Sequence, residues 1–411
     1  MKRSRKQDNK TNNGSTTESE IVSKIKPQQT DQTSAELVLL GVIVVSFLSV
    51  PICYFLSYLP QMKDSLNVFL YSVGICASIA PLTYFVLIRH LFHIKRELYF
   101  YVFTLFAFTA IADLLLALTI DEYSSAFHFY LEQGEVYLKT AHGLFINYWD
   151  GSTHYSLYLI MLYCMLTNRT HGKFYRYVSL FWCGSIINSL IVLLGGAASG
   201  RYGAHIKPSY FLNVPYALFP VLFAIKQMRS RDQFIKDQMK KRKVANRPKS
   251  LLFQILDFIF IAYFVFAIIF ALFRLLHVLQ TPMMKNSDYY KYEPYMLNTS
   301  GFPLVQLLTY AFYFIPYYCS GIQSLLFYNH QNSVYRWFPD WTVMHAGAAA
   351  QAQFSYFASS LRNPTIYPDP SWSRIPDEHW NVTVFLNILL AIMPQLLAIR
   401  VCMNNNDQAF F

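Results

Sequence analysis

FLNVPYALFPVLFAI, residues 211–225, returns 174 residues later as FLNILLAIMPQLLAI, residues 385–399. The two runs share Phe, Leu, Asn, Ala, Pro, Leu, Ala and Ile at 8 of 15 aligned positions without a gap. Apolar helices often match by composition alone, but an asparagine followed seven residues later by a proline is a less generic pattern. Upstream, EVYL (135–138) is echoed by EPYM (293–296), each after one apolar run and before the next. An even number of spans between copies keeps them in the same orientation, so the pattern describes two parallel units of four helices. The units are placed at residues 94–230 and 250–405. A two-helix extension (35–93) precedes them, a linker (231–249) joins them, and tails cover residues 1–34 and 406–411.

The composition supports helices in lipid. Of 411 residues, 54% are hydrophobic and only 14% charged, against roughly 25% charged in soluble domains. About 20 apolar residues cross a bilayer as a helix. Ten such windows occur, near 37–58, 66–88, 98–120, 142–166, 177–197, 209–226, 251–279, 301–328, 342–360 and 381–402. The expected fold is therefore all-α and polytopic. The first 34 residues are polar and contain no apolar stretch of the kind a cleavable signal needs, so they read as a disordered cytosolic tail.

Basic residues set the topology. The segments 89–97, 168–176 and 226–250 are all rich in Lys and Arg, whereas the loop 121–141 between spans is acidic and polar. This places both termini in the cytosol and the loop 121–141 on the lumenal side. The net charge of +11 is gathered beside the membrane, which excludes a nucleic-acid-binding reading and suits contact with membrane lipids. Cys53, Cys76, Cys164, Cys183, Cys319 and Cys402 all fall in or at the ends of spans and form no CxxC pair. Neither a disulfide frame, a metal site nor a cofactor is indicated. Of three sequons, Asn168 falls on the cytosolic side, while Asn298 and Asn381 fall on the lumenal side close to the membrane edge.

Ionisable groups inside spans are expensive, on the order of 3 kcal/mol each, and so mark functional sites. Asp113 lies about seven residues, or roughly 10 Å, from the lumenal end of its span. Asp150 lies at a similar depth on the following helix. There, Gly143, Asn147, Asp150 and His154 are spaced 4, 3 and 4, forming one stripe of a helix. His142 falls off this stripe and is expected at the lumenal rim. Asn213 and Tyr216 add an amide and a phenol beside the kink expected at Pro220. The candidate ligand site is therefore Asp113, Asn147, Asp150, His154, Asn213 and Tyr216. In the second unit Arg274 stands where Asp113 does, Leu390 replaces Tyr216, and Glu293 and Asn387 remain. Gln351 and Gln353, in a run of small residues, are expected to bond across helices.

YLKTAHGLFINYWDGSTHY (137–155), YKYEPY (290–295), FPDW (338–341) and QAQFSYFAS (351–359) resemble the transmembrane 6 superfamily. That resemblance covers residues 98–402 and implies two EXPERA domains, the four-helix module of the emopamil-binding sterol isomerase and the sigma-2 receptor. It further implies residence in the membranes of the endoplasmic reticulum and the intermediate compartment beyond it. A part in sterol, neutral-lipid and lipoprotein handling is implied as well. The isomerase's first-helix histidine, four residues before an acid, is Thr109 here, while the acid is matched by Asp113; this argues against isomerisation. VPYALFP (214–220) resembles the sigma-2 receptor, whose cavity aspartates are similar to Asp113 and Asp150. The expected function is a non-catalytic regulator that binds a sterol or other lipid in an intramembrane cavity. The alternative is a sterol-isomerase-like enzyme using the intramembrane carboxylates. The terminal Phe410 and Phe411 resemble an export signal read by the coat that buds from the endoplasmic reticulum.

Overall fold

The structure, a computed structural model, describes residues 32–91, 93–241, 251–284, 287–327 and 337–407. Among them no strand is formed, and every regular element is helical. Residues 1–31 of the expected N-terminal tail, residues 242–249 of the linker, and Phe410 and Phe411 lie outside the described residues.

With no water in the hydrocarbon layer, a chain must satisfy its backbone internally, and a helix does so within one segment. The first apolar window forms α1 (Gln32–Phe47) and α2 (Ser49–Ser57). Asp64 then caps α3 (Ser65–Leu82), its carboxylate accepting from the Asn67 amide at 3.0 Å. Beyond Pro81 this helix continues as a π turn, Thr83–Ile88. α4 (Leu98–Ile120) is the first helix of the repeat, followed by the short α5 (His128–Gln133). The Thr140 hydroxyl accepts from the Gly143 amide at 3.1 Å and starts α6 (Ala141–Trp149). A π turn, Asp150–His154, links α6 to α7 (Tyr155–Leu166). α8 (Lys173–Ser199) and α9 (Asn213–Lys241) complete this set.

The second set runs in the same order. α10 (Leu251–Val278) is followed by α11 (Phe302–Thr309), a π turn (Tyr310–Phe314), α12 (Ile315–Leu326), α13 (Phe338–Leu361) and α14 (Trp380–Asp407). Both sets carry a π turn in the second long segment and a proline, Pro220 or Pro394, inside the last helix.

Among the described residues, seven helical segments are long and apolar enough to cross a membrane. The other three expected windows also form helices, but they are the α6–α7 and α11–α12 segments, each broken by its π turn, and α13. α13 and most of the α6–α7 segment are buried within the bundle, which accounts for their polarity, whereas α11–α12 also exposes Phe312. α13 buries Gln351, Gln353, Ser355 and Ser359 together with Ala346, Ala348, Ala349 and Ala352. Facing it, α8 supplies Asn188, whose amide donates to Gln351 at 2.6 Å and to Gln306 at 3.3 Å. Gln353 donates to the Tyr310 hydroxyl at 2.9 Å. The two glutamines therefore do bond across helices. At the start of both helices, Arg176 of α8 grips Asp340 of α13 through two hydrogen bonds of 3.2 and 2.5 Å.

The segment after α13 straps the two sets together. Arg362 holds Asp121 at 3.0 and 2.6 Å, and Tyr148 donates to the same carboxylate at 2.6 Å. Asp369 is bound by Arg201 at 2.8 and 3.0 Å, by the Asn298 amide at 3.0 Å and by Ser371. The Asn298 sequon amide is thus buried and engaged, while Asn381 is exposed. Burial alone would raise the Asp369 pKa, but hydrogen bonds from Asn298, Arg201 and Ser371 outweigh it and hold the carboxyl below its ordinary 3.8. A carboxylate with a depressed folded pKa adds stability above the unfolded value, and that stability fades as pH falls through the folded one. Asp369→Asn is therefore expected to lower the melting temperature by a constant amount from neutral pH down to roughly pH 5, with the difference shrinking below about pH 4. A difference that stays constant down to about pH 3 would show that the charge is not what the clamp uses.

Candidate functional site

Three of the first set's helices turn polar groups inward at one depth. Asp113 comes from the middle of α4, Asp150 from the π turn, and Asn213 and Tyr216 from the first turn of α9. The π turn brings Asp150 close to α4 through Gly151. A methyl at Gly151 would lie 2.5 Å from the Leu114 Cβ and 2.9 Å from its Cα, so the helices touch there at backbone range. Between them lies a cavity of about 170 Å³ whose lining includes Asp113, Asp150, Asn147, Asn213 and Tyr216.

A residue from outside the expected set anchors this cavity. Glu135, buried in the segment that follows α5, lines it and accepts three hydrogen bonds. Tyr137 donates at 2.5 Å, Tyr130 at 2.8 Å and the Asn213 amide at 3.0 Å. Asn213 is therefore a positioning group for the carboxylate as well as part of the wall. Asp113 has no such support: no hydrogen bond or ion pair reaches it from the described residues. Tyr216 stacks on Phe106 at 4.3 Å and donates to the Thr109 hydroxyl at 2.5 Å. The position that a catalytic histidine would occupy thus holds a threonine already engaged by a phenol.

His154 corrects the expected stripe. It is fully buried but does not line the cavity. Its Nδ1–H donates to Asp150 Oδ1 at 2.5 Å, and its Nε2 accepts from the Ser185 hydroxyl of α8 at 2.7 Å. Ser185 in turn accepts from the Trp149 indole at 2.9 Å. Within the π turn His154 stays bonded to Asp150 one turn back, but its ring points to α8 rather than into the cavity. It becomes the middle of an ordered chain that fixes Asp150 from behind. Gly143 is also away from the cavity, and Asn147, which does line it, donates to the Gly143 carbonyl at 2.7 Å. His142, expected at the lumenal rim, is buried and stacked on Phe302 of the second set at 4.6 Å, because α11 covers that end of α6.

The two-helix extension, silent in the sequence, closes the cavity. Ile52, Cys53 and Leu56 of α2 and Ser72, Ile75 and Cys76 of α3 form one wall. No polar stripe marked these spans.

The second set answers the first point by point. Arg274 of α10 reaches across to Glu293, with Nε to Oε2 at 2.8 Å and Nη2 to Oε1, and to the Asn387 carbonyl oxygen at 3.0 Å. Phe270 and Tyr356 cover the guanidinium, 4.5 and 5.3 Å from ring centre to Cζ. Glu293 and Asn387 occupy the roles of Glu135 and Asn213, and the pocket beside Arg274, lined also by Phe270, Tyr310 and Leu390, is only about 10 Å³. The place that is open beside Asp113 is filled here by the protein's own cation.

Residues 48–238 match a family described as the Transmembrane 6 superfamily member 2-like transmembrane domain. The chain is 36% identical over 365 residues to mouse "Transmembrane 6 superfamily member 2", covering 87% of this chain and 91% of that protein. Its similarity to the human protein of that name is 35% over 365 residues, covering 87% and 90%. No solved structure matches.

Proposed function

The chain belongs to the transmembrane 6 superfamily, and we propose that it is a non-catalytic membrane regulator of lipid homeostasis that holds a sterol or other lipid in the cavity of its first helical set. Its workplace in this reading is the membrane of the endoplasmic reticulum and the adjoining intermediate compartment, with Phe410 and Phe411 engaging the export coat. One observation carries the proposal. The first set keeps a largely apolar cavity whose wall holds three carboxylates, Asp113, Glu135 and Asp150, with no Lys or Arg among its described lining residues, whereas the second set fills the corresponding place with Arg274. An apolar chamber with a few convergent polar groups is the usual form of a small-molecule site. Its polar end offers acceptors, which suits a ligand that presents a hydroxyl or another hydrogen-bond donor.

The alternative, a sterol-isomerase-like enzyme, draws on the Ser185–His154–Asp150 chain, which holds the Asp150 carboxyl in one orientation, as a general acid needs. Thr109 weighs against it, since it offers no second acid or base beside Asp113.

Saturable labelling of the purified protein by a photoreactive sterol separates these readings. Asp113→Asn is expected to reduce labelling roughly tenfold, the worth of one hydrogen bond to a charged group, with the melting temperature preserved. Undiminished labelling in Asp113→Asn, Glu135→Gln and Asp150→Asn would remove the cavity from the reading. Turnover of a sterol substrate that Asp113→Asn abolishes would establish the enzyme instead.

A further inference from the structure

A second, larger hollow lies well away from this cavity, at the opposite membrane face. It is an open groove of about 780 Å³ between α1 and the α7–α8 turn. Leu39, Ile160 and the well-exposed Phe174 form its apolar walls, and Arg169, His171 and Lys173 stand at its mouth. Ile160 lies six residues before the end of α7 and Leu39 seven residues into α1. At 1.5 Å per residue the groove therefore penetrates roughly 10 Å from the membrane surface. The α7–α8 turn belongs to the basic segment that the charge asymmetry places in the cytosol.

We propose that this groove is a binding site for an anionic phospholipid of the cytosolic leaflet, with the headgroup phosphate between Arg169, His171 and Lys173 and the start of an acyl chain along Leu39, Ile160 and Phe174. The charge and the depth select this occupant together. An apolar hollow alone would take any acyl chain, and surface cations alone would attract any anion. Here the cations sit at headgroup level directly above a slot that continues into the hydrocarbon. The first turn of α8 sharpens the preference, because Gly172 provides no side-chain cap and no acidic residue lies in that turn. Its amides and the positive end of the helix dipole thus face the same mouth as the three basic side chains. The site is independent of the intramembrane cavity, so neither proposal stands or falls with the other.

The test uses the full-length protein in phosphatidylcholine nanodiscs containing a trace of photoreactive phosphatidylserine. Crosslinks are expected within residues 159–174. Arg169→Gln, His171→Gln and Lys173→Gln together should lower labelling by at least roughly tenfold, since each cation near an anionic headgroup adds a factor of several. Ile160→Trp, which fills the slot without changing charge, should lower it comparably. Arg89→Gln with Arg96→Gln removes charge from the neighbouring cytosolic segment and should leave labelling intact. Equal loss in that control pair would reduce the effect to general surface charge and overturn the proposal. Full labelling in Ile160→Trp, or equal labelling by a phosphatidylcholine probe, would overturn it as well.

Discussion

Replacing Arg274 with methionine is expected to destabilise the protein by about 3–5 kcal/mol, the usual cost of removing one partner of a buried ion pair. Both Arg274 and Glu293 are almost fully buried, and the pocket beside Arg274, about 10 Å³, has room for at most about one water. The variant would leave the Glu293 carboxylate facing Asn387, Tyr356 and apolar walls. Pairing Arg274→Met with Glu293→Gln removes the stranded charge and should recover most of the loss, because an uncharged pair in such a place is often no worse than the ion pair. Glu135→Gln in the first set provides the contrast. No cation is stranded there, Tyr130 and Asn213 keep an oxygen to bond, the Tyr137 hydroxyl can turn to accept from the new amide, and the cavity leaves room for water, so about 1 kcal/mol is expected. Unfolding of the four proteins in bicelles would check this order. If Arg274→Met unfolds like the parent, the guanidinium is not the group that closes the second set.

The repeat carried much of the legible part. The Asn and Pro shared by residues 211–225 and 385–399 have jobs only those side chains perform, holding a glutamate and kinking a helix, so they survive where apolar neighbours drift. Asp113 and Asp150 were legible for a similar reason, since a carboxylate inside an apolar span has few uses. Glu135 was harder to see. It stands in a polar segment between apolar runs, where a glutamate ordinarily meets water, and its alignment with Glu293 was the available signal. The expected place of His154 rests on a regular helix. One extra residue in the π turn shifts the phase of the downstream side chains by about 100°, and nothing local in DGSTH announces it. Ser185 was hidden among the small residues of α8, which read as packing. The extension's contribution through Cys53 and Cys76 depends on how α2 and α3 lean on α4, and hydropathy does not encode that.

The close contact between α8 and α13 sets up the other large effect. A methyl on Gly184 would lie 1.8 Å from the Met344 carbonyl oxygen, and one on Gly347 would lie 1.9 Å from the Phe181 carbonyl oxygen. The obstacles are backbone, so no side chain can rotate away, and the helices must separate by more than an ångström. Overpacking of this kind costs about 1–3 kcal/mol and at times more. Gly184→Ala is placed at the upper end, because separation also stretches Asn188 from Gln351 and Arg176 from Asp340. The two glycines make reciprocal contacts three residues apart on each helix, so one displacement accommodates both methyls. The double variant Gly184→Ala, Gly347→Ala should therefore lose clearly less than the sum of the single variants. Gly74→Ala is the control: nothing lies within 4 Å of the added carbon, and helix propensity predicts a gain of up to about 1 kcal/mol. The interface also reaches the site. Ser185, next to Gly184, ends the chain that fixes His154 and Asp150, so the displaced helix should weaken sterol labelling even where the protein stays folded. Unchanged melting and unchanged labelling in Gly184→Ala would mean that α8 and α13 are further apart than their backbones require, and that Asp150 is held by α6 and α7 alone.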